Sequence, residues 1–233
     1  HCLSGSVSDV RRFLELGGHA DTVYKSAYGW DVGAEYAEDP PTDGCTVLNY
    51  VATWTDVIGQ AAADIAKLLL DAGADPQRDD GLEQWFTPLH NAVANGARDV
   101  AEAILKKYPE AREFTTGEGQ TPLFMLDLCD DADDRMATLT LLIAYRANLA
   151  FAEPFEGNTA LHIFAKKGFL DLVVKLLENG APAAAKNEAG RTALEEARCA
   201  LAVLEEQNDS LTVPRREKLR ETIEVMEIAA LVQ

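Results

Sequence analysis

Few side chains in this 233-residue chain stand at spacings that could do chemistry, and each candidate fails on its own pattern. His90 and His162 are the obvious bases. Each closes a similar four-residue phrase, Thr87-Pro88-Leu89-His90 and Thr159-Ala160-Leu161-His162. A catalytic histidine is placed by its nucleophile, whereas these two recur with the phrase, so no Ser/His/Asp or Cys/His pairing emerges. Asp130, Asp131, Asp133 and Asp134 make a tight acidic cluster. They lack the alternating Asp positions, glycine and distal Glu of a calcium loop, which leaves a solvated loop or a contact for a partner's Lys or Arg. Cys2, Cys45, Cys129 and Cys199 are scattered, with no CxxC pair and no closely spaced His, so neither a zinc site nor a disulfide framework is expected. Gly117 and Gly119 belong to a turn before Thr121 and form no phosphate loop, and the Lys166-Lys167 pair is a weak anion signal in so acidic a chain. Neither a cofactor nor a resident metal is expected.

The elements that would position these residues are set by repetition. The phrase returns as Thr121-Pro122-Leu123-Phe124 and, more weakly, as Thr46-Val47-Leu48-Asn49 and Thr192-Ala193-Leu194-Glu195, with threonines 41, 34, 38 and 33 residues apart. A second column follows it: large apolar pairs Phe13-Leu14, Leu69-Leu70, Ile104-Leu105, Leu142-Ile143 and Leu176-Leu177. Small-residue turns come next, at Gly17-Gly18, Gly73-Ala74-Asp75 and Gly180-Ala181. Self-similarity near 33 residues predicts stacked supersecondary units that share one continuous core. Threonine can cap the helix that each phrase opens, and proline suits its first turn. Leu89, Ala92 and Val93 are spaced to face inward. Arg146 and Tyr108 stand where the other turns have glycine, which predicts a different turn geometry at both.

The phrase, the apolar pair and the Gly-Ala-Asp turn resemble the ankyrin-repeat family over nearly all of residues 1–200. That resemblance implies an all-α solenoid of about six helix-turn-helix units with finger loops, the first incomplete, and a curved open groove. It also implies that His90 and His162 brace neighbouring finger backbone. Residues 1–233 read as a single domain, with a long insertion at about 20–44 and an atypical C-terminal cap at about 192–233. His1 falls inside a repeat helix in this register, so a fragment or processed product is expected, with upstream targeting signals left open.

Composition bounds the partners. Thirty-nine acidic residues against 21 basic ones give a net charge of −18, which repels phosphate backbones and favours a basic surface or segment, while also serving solubility. Direct nucleic-acid binding is not expected, and no apolar run reaches the 18 or so residues of a membrane span. Scattered cysteines suit an intracellular setting, cytoplasmic or nuclear, with an organelle left open.

The expected function is a non-enzymatic protein-protein interaction module using its concave groove and aromatic fingers. A regulatory or targeting region of a longer enzyme or channel, or an accessory subunit of a large assembly, remains the alternative. Candidate partner-binding residues are Tyr24, Tyr28, Trp30 and Tyr36 in the long insertion, then Trp54, Trp85, Phe86, Asn95, Asp130, Asp131 and Phe155. Aromatic side chains are the usual anchors of interfaces; packing between fingers, or over the first repeat, is the competing use of the same rings.

Overall fold

A computed structural model of the chain describes residues 6–22, 45–81, 85–207 and 212–232. Tyr24, Tyr28, Trp30 and Tyr36 lie outside the described residues. The chain divides into two compact units, His1–Tyr145 and Arg146–Gln233. The described elements are helical, and an isolated antiparallel bridge, Ala152 to Thr159, lies in a finger.

Unit 1 holds α1 (Val7–Glu15), then α2 (Val47–Thr53), α3 (Thr55–Ile58) and α4 (Ala62–Asp71), then α5 (Pro88–Ala94) and α6 (Arg98–Lys107), and last α7 (Ala132–Ala144). Helices packed one repeat apart, α2 on α5 and α4 on α6, make the stack. Its core follows the two sequence columns: Leu48, Leu89 and Leu123 from the phrases, with Leu69, Ile104 and Leu142 from the apolar pairs, are all buried. Burying each such side chain contributes about 1.5–3 kcal/mol before entropy is counted. Between α2 and α4 the Thr46 copy carries α3 and the short 3-10 turn Gly59–Ala61, so the extra length of this copy is taken up as helix.

The Thr121 copy departs from the two-α-helix expectation: Pro122–Asp127 winds as a 3-10 helix. Phe124 stands where His90 and His162 stand in their phrases, and a phenyl ring can accept no bond from the cap. Thr121 makes no side-chain cap bond, and the N–H groups of Phe124 and Leu128 bond Thr121 O and Met125 O, both at 3.0 Å, the i→i+3 pattern of a 3-10 turn.

Of the two turns expected to differ, one does. Tyr108 has φ −129° and leads into the 3-10 turn Pro109–Glu113. Arg146 instead adopts the left-handed conformation of its glycine counterparts, φ 61° against 86° at Gly17, 91° at Gly73 and 83° at Gly180. Its Cβ makes that geometry costly without preventing it.

Unit 2 holds α8 (Ala160–Lys167), α9 (Leu170–Glu178), α10 (Ala193–Gln207) and α11 (Val213–Val232). Leu161, Phe164, Leu172 and Leu176 build its core, closed by Ala193 and Ala197 of α10 and Leu219 of α11. Gly168, at φ 75°, ends α8 where a Cβ would lie 3.3 Å from the Leu219 backbone nitrogen. The ion pairs Arg198–Glu227 and Arg220–Glu205 run between the exposed sides of the terminal helices. Exposed pairs of this kind contribute little to stability.

The first finger of unit 2 rests on Glu153. Its buried carboxylate accepts the N–H groups of Phe155 at 2.7 Å, Glu156 at 2.9 Å and Asn158 at 2.9 Å. Glu153→Ala leaves those donors without their acceptor, at an expected cost of about 1–3 kcal/mol. Faster amide exchange at Phe155, Glu156 and Asn158 would show it; unchanged exchange at all three would mean water replaces the carboxylate at no loss.

Candidate functional site

Each finger is built the same way. A backbone N–H near its start bonds the carbonyl of the residue just before the threonine: Asp80 to Phe86, Thr116 to Gln120, Glu153 to Asn158 and Asn187 to Arg191, all at 2.9 Å. The starting side chain then caps the loop. Thr116 Oγ1 accepts from Gln120 N–H at 3.2 Å and Asn187 Oδ1 from Arg191 N–H at 3.0 Å.

The histidines lock each finger to the next. Thr87 N–H and Oγ1–H donate to His90 Nδ1 at 3.3 and 2.7 Å, so Nε2 carries the proton and donates to Gln120 O at 3.0 Å. His162 repeats this with Thr159 at 3.2 and 2.8 Å and with Arg191 O at 3.1 Å. Both rings are buried, and burial holds the His90 pKa down to about 4 and lowers that of His162, against the upward pull of the backbone bonds. With both nitrogens engaged and no opening to solvent, these Thr-His pairs are braces. Asn49 performs the same task with its amide, Nδ2 donating to Arg78 O at 2.8 Å.

A polar ladder runs beneath the fingers, and sequence reasoning missed it. Asn91 Nδ2 donates to Asn49 Oδ1 at 3.2 Å and to Asp80 Oδ2 at 3.4 Å. In unit 2, Asn187 Nδ2 donates to Asn158 Oδ1 at 2.9 Å and to Glu196 Oε1 at 2.8 Å, while Arg191 Nε donates to the same Glu196 oxygen at 2.7 Å. Burial alone would raise the Glu196 pKa, but the bonds from Arg191 and Asn187 outweigh it and the carboxyl sits below its usual value. The signal was present in sequence as a polar residue four to six places ahead of the one preceding each threonine.

The candidate residues fall in separate places. Trp54 ends α2, half-buried, its ring tilted against Tyr50 with centroids 6.4 Å apart. Phe86 stacks on the His90 ring at 6.0 Å. Trp85, 58% exposed, lays the six-membered part of its indole over Gly117 of the following finger, where a Cβ would come within 2.8 Å of the ring. Asn95 is exposed at the end of α5. Asp131 is engaged as the cap of α7, accepting from Asp133 and Asp134 N–H at 2.9 Å, and Asp130 is exposed beside it. Asp133 and Asp134 line a cleft of about 450 Å³ in unit 1 together with Asp99, Arg98, Gly96 and Gln60. Phe155, 69% exposed, lies in the first finger of unit 2. No group of three or more His, Cys, Asp or Glu suited to a metal occurs among the described residues. Cys45 is buried, and desolvation first, Asp80 second, pushes its thiol up to about 12, so it stays protonated.

The helix pairs, finger closures and histidine braces define a stacked-repeat protein. A family model for ankyrin repeats in many copies matches residues 142–197, and the chain is an ankyrin-repeat protein. It is 34% identical over 131 residues to the NF-kappa-B inhibitor alpha of Rattus norvegicus, covering 54% of this chain and 37% of that one. It is 31% identical over 163 residues to the human neurogenic locus notch homolog protein 2, covering 63% of this chain and 6% of the relative. The human TPR and ankyrin repeat-containing protein 1 is 30% identical over 152 residues, 58% and 5% respectively. The chain thus spans well under half the length of these relatives. Ankyrin repeats are in general protein-protein interaction modules. No described helix is long and apolar enough to cross a membrane.

Proposed function

We propose that this chain is a non-enzymatic, intracellular module that binds a partner protein carrying a basic surface or segment, chiefly through the fingers and groove face of unit 1. One observation carries the reading. Large apolar side chains stand in solvent where the repeat has no need of them: Trp85 in a finger, Val57 in the inserted helix α3, and Leu128, 52% exposed, after the 3-10 helix of the Thr121 copy. Exposed aromatic and apolar side chains are candidate anchors for a partner, and the net charge of −18 suits a basic one. The buried Thr-His braces favour a binding role over catalysis. A relative named as an inhibitor of NF-kappa-B fits a chain whose repeats act by holding another protein. Asn95, Asp130 and Asp131 belong to the proposed rim, and Phe155 to a separate site on unit 2.

The test is a crosslinking pull-down from the native source, followed by binding kinetics on the captured partner. Trp54→Ala is expected to speed dissociation. Added salt is expected to slow association, since the steering field decays over about 8 Å at physiological ionic strength. If Phe155→Ala weakens binding while Trp54→Ala and Trp85→Ala do not, the partner sits on unit 2.

A further inference from the structure

Two residues before the threonine, the fingers need a left-handed residue. Gly119, Gly157 and Gly190 supply it with φ of 74°, 68° and 72°. Gly44 holds the same place ahead of Thr46 in the sequence. Ahead of Thr87 the residue is Trp85, and its φ is 51°. A bulky aromatic in this region is a backbone outlier, because its Cβ crowds the carbonyl that glycine leaves free. One finger therefore carries strain that three neighbours avoid, and what it gains is an indole. One ring face lies on Gly117, whose missing side chain makes the approach possible; more than half of the residue stays in solvent. The next residue along the receiving finger is Glu118, also exposed. Among the described residues of the two fingers, Asp75, Asp79, Asp80, Glu113 and Glu118 oppose Arg78 and Arg112, and Arg112 lies 3.4 Å from Glu113.

We infer that the outward face of Trp85 and the carboxylate of Glu118 form a receptor for a lysine or arginine side chain of the bound partner. The inference rests on the protein-binding reading and adds to it one pocket and its chemistry. An indole face attracts a cation through its quadrupole, tryptophan more strongly than the other aromatics, and a neighbouring carboxylate satisfies the cation's N–H donors. The second ring face, resting on glycine backbone, holds the indole at a fixed tilt, so little side-chain freedom remains to be lost on binding.

The experiment uses the whole chain, 15N-labelled, and follows the indole N–H signals of Trp30, Trp54 and Trp85 while an oligo-arginine nonapeptide is added, with oligo-lysine and oligo-glutamate nonapeptides in parallel arms. The Trp85 signal, assigned by its loss in Trp85→Gly, is expected to move most with both basic peptides and to stay in place with the acidic one. Trp85→Gly should weaken oligo-arginine binding about five- to tenfold, in the range of a partly desolvated cation–π contact, and should leave the thermal midpoint equal or higher, because it restores the residue the backbone prefers. Glu118→Gln should weaken binding about two- to fivefold, and Gly117→Ala, which pushes the ring off its seat, should weaken it too. Equal affinities for parent, Trp85→Gly and Glu118→Gln would overturn the assignment as general attraction to an acidic surface. A lowered midpoint in Trp85→Gly with binding unchanged would overturn it as well, making Trp85 a brace between fingers. Either failure leaves the pull-down with Trp54 and Phe155 variants free to uphold the broader reading.

Discussion

Phe164→Ala is expected to remove about 3–5 kcal/mol from unit 2, the range for deleting a fully buried aromatic ring. Phe164 has no exposed surface. It sits in the last half of α8, a helix packed against α9, α10 and α11, with the Phe169 ring 6.3 Å away. Phe169 is only half-buried and can lean into part of the vacated space, which is why the cost spans a range. Domain stabilities of 5–15 kcal/mol leave little margin for such a loss. Native-state amide exchange in α8 and α9 reads it directly: at 1.4 kcal/mol per decade, the most protected amides should exchange roughly a hundred- to a few thousandfold faster. Leu176→Ala, equally buried on α9, should cost about 2–5 kcal/mol by the same readout. Acceleration below tenfold in both would mean the two columns of the repeat do not meet in one core.

That core was legible because it is periodic. Leu89, Ala92 and Val93 are buried as spacing requires, and the Thr-x-x-His phrase already pointed to a cap. Irregular features were less legible for physical reasons. The 3-10 helix at Pro122–Asp127 lies under an apolar pattern that Phe124 leaves intact, so periodicity does not announce it. Arg146 keeps the glycine-like turn against a local preference of about 1–2 kcal/mol, which a rule that reads residue types alone does not foresee. The ladder through Asn49, Asn91 and Asp80 joins residues from three places in the chain, and no local window contains it. Trp85 is the opposite case. Its break with Gly119, Gly157 and Gly190 stands openly in the repeat alignment, yet its meaning needed the backbone angle and the contact with Gly117. The sequence marks where the repeat is violated; only geometry tells whether the violation is strain, brace or surface.

The second large effect is a dependence on acid carried by His90. The ring is neutral in the fold, with pKa about 4 against 6.5 in the unfolded chain, because burial penalises the charge more than the backbone bonds of Gln120 and Phe114 favour it. Geometry agrees, since an imidazolium would turn an Nδ1 proton toward the Thr87 N–H that now donates to it. Between those two pKa values the unfolded state binds the extra proton, so stability rises with pH across that window. The contribution is present above about pH 6.5, is lost as pH falls, and reaches its full loss of about 3 kcal/mol below about pH 4. His162, also lowered by burial, adds a loss of the same sign in unit 2. From pH 7 to pH 5 the His90 share should be about 2 kcal/mol, seen as faster exchange of α5 amides after correction for the intrinsic rate. His90→Asn separates the charge from the brace. An amide at this place can donate to Gln120 O as Asn49 donates to Arg78 O, and it does not titrate. The variant should start less stable at pH 7 and lose about 2 kcal/mol less than the parent on going to pH 5. Parallel slopes for parent and variant, or an NMR titration placing the His90 pKa near 6.5, would show that the proton enters the fold without breaking the Thr87–His90–Gln120 chain.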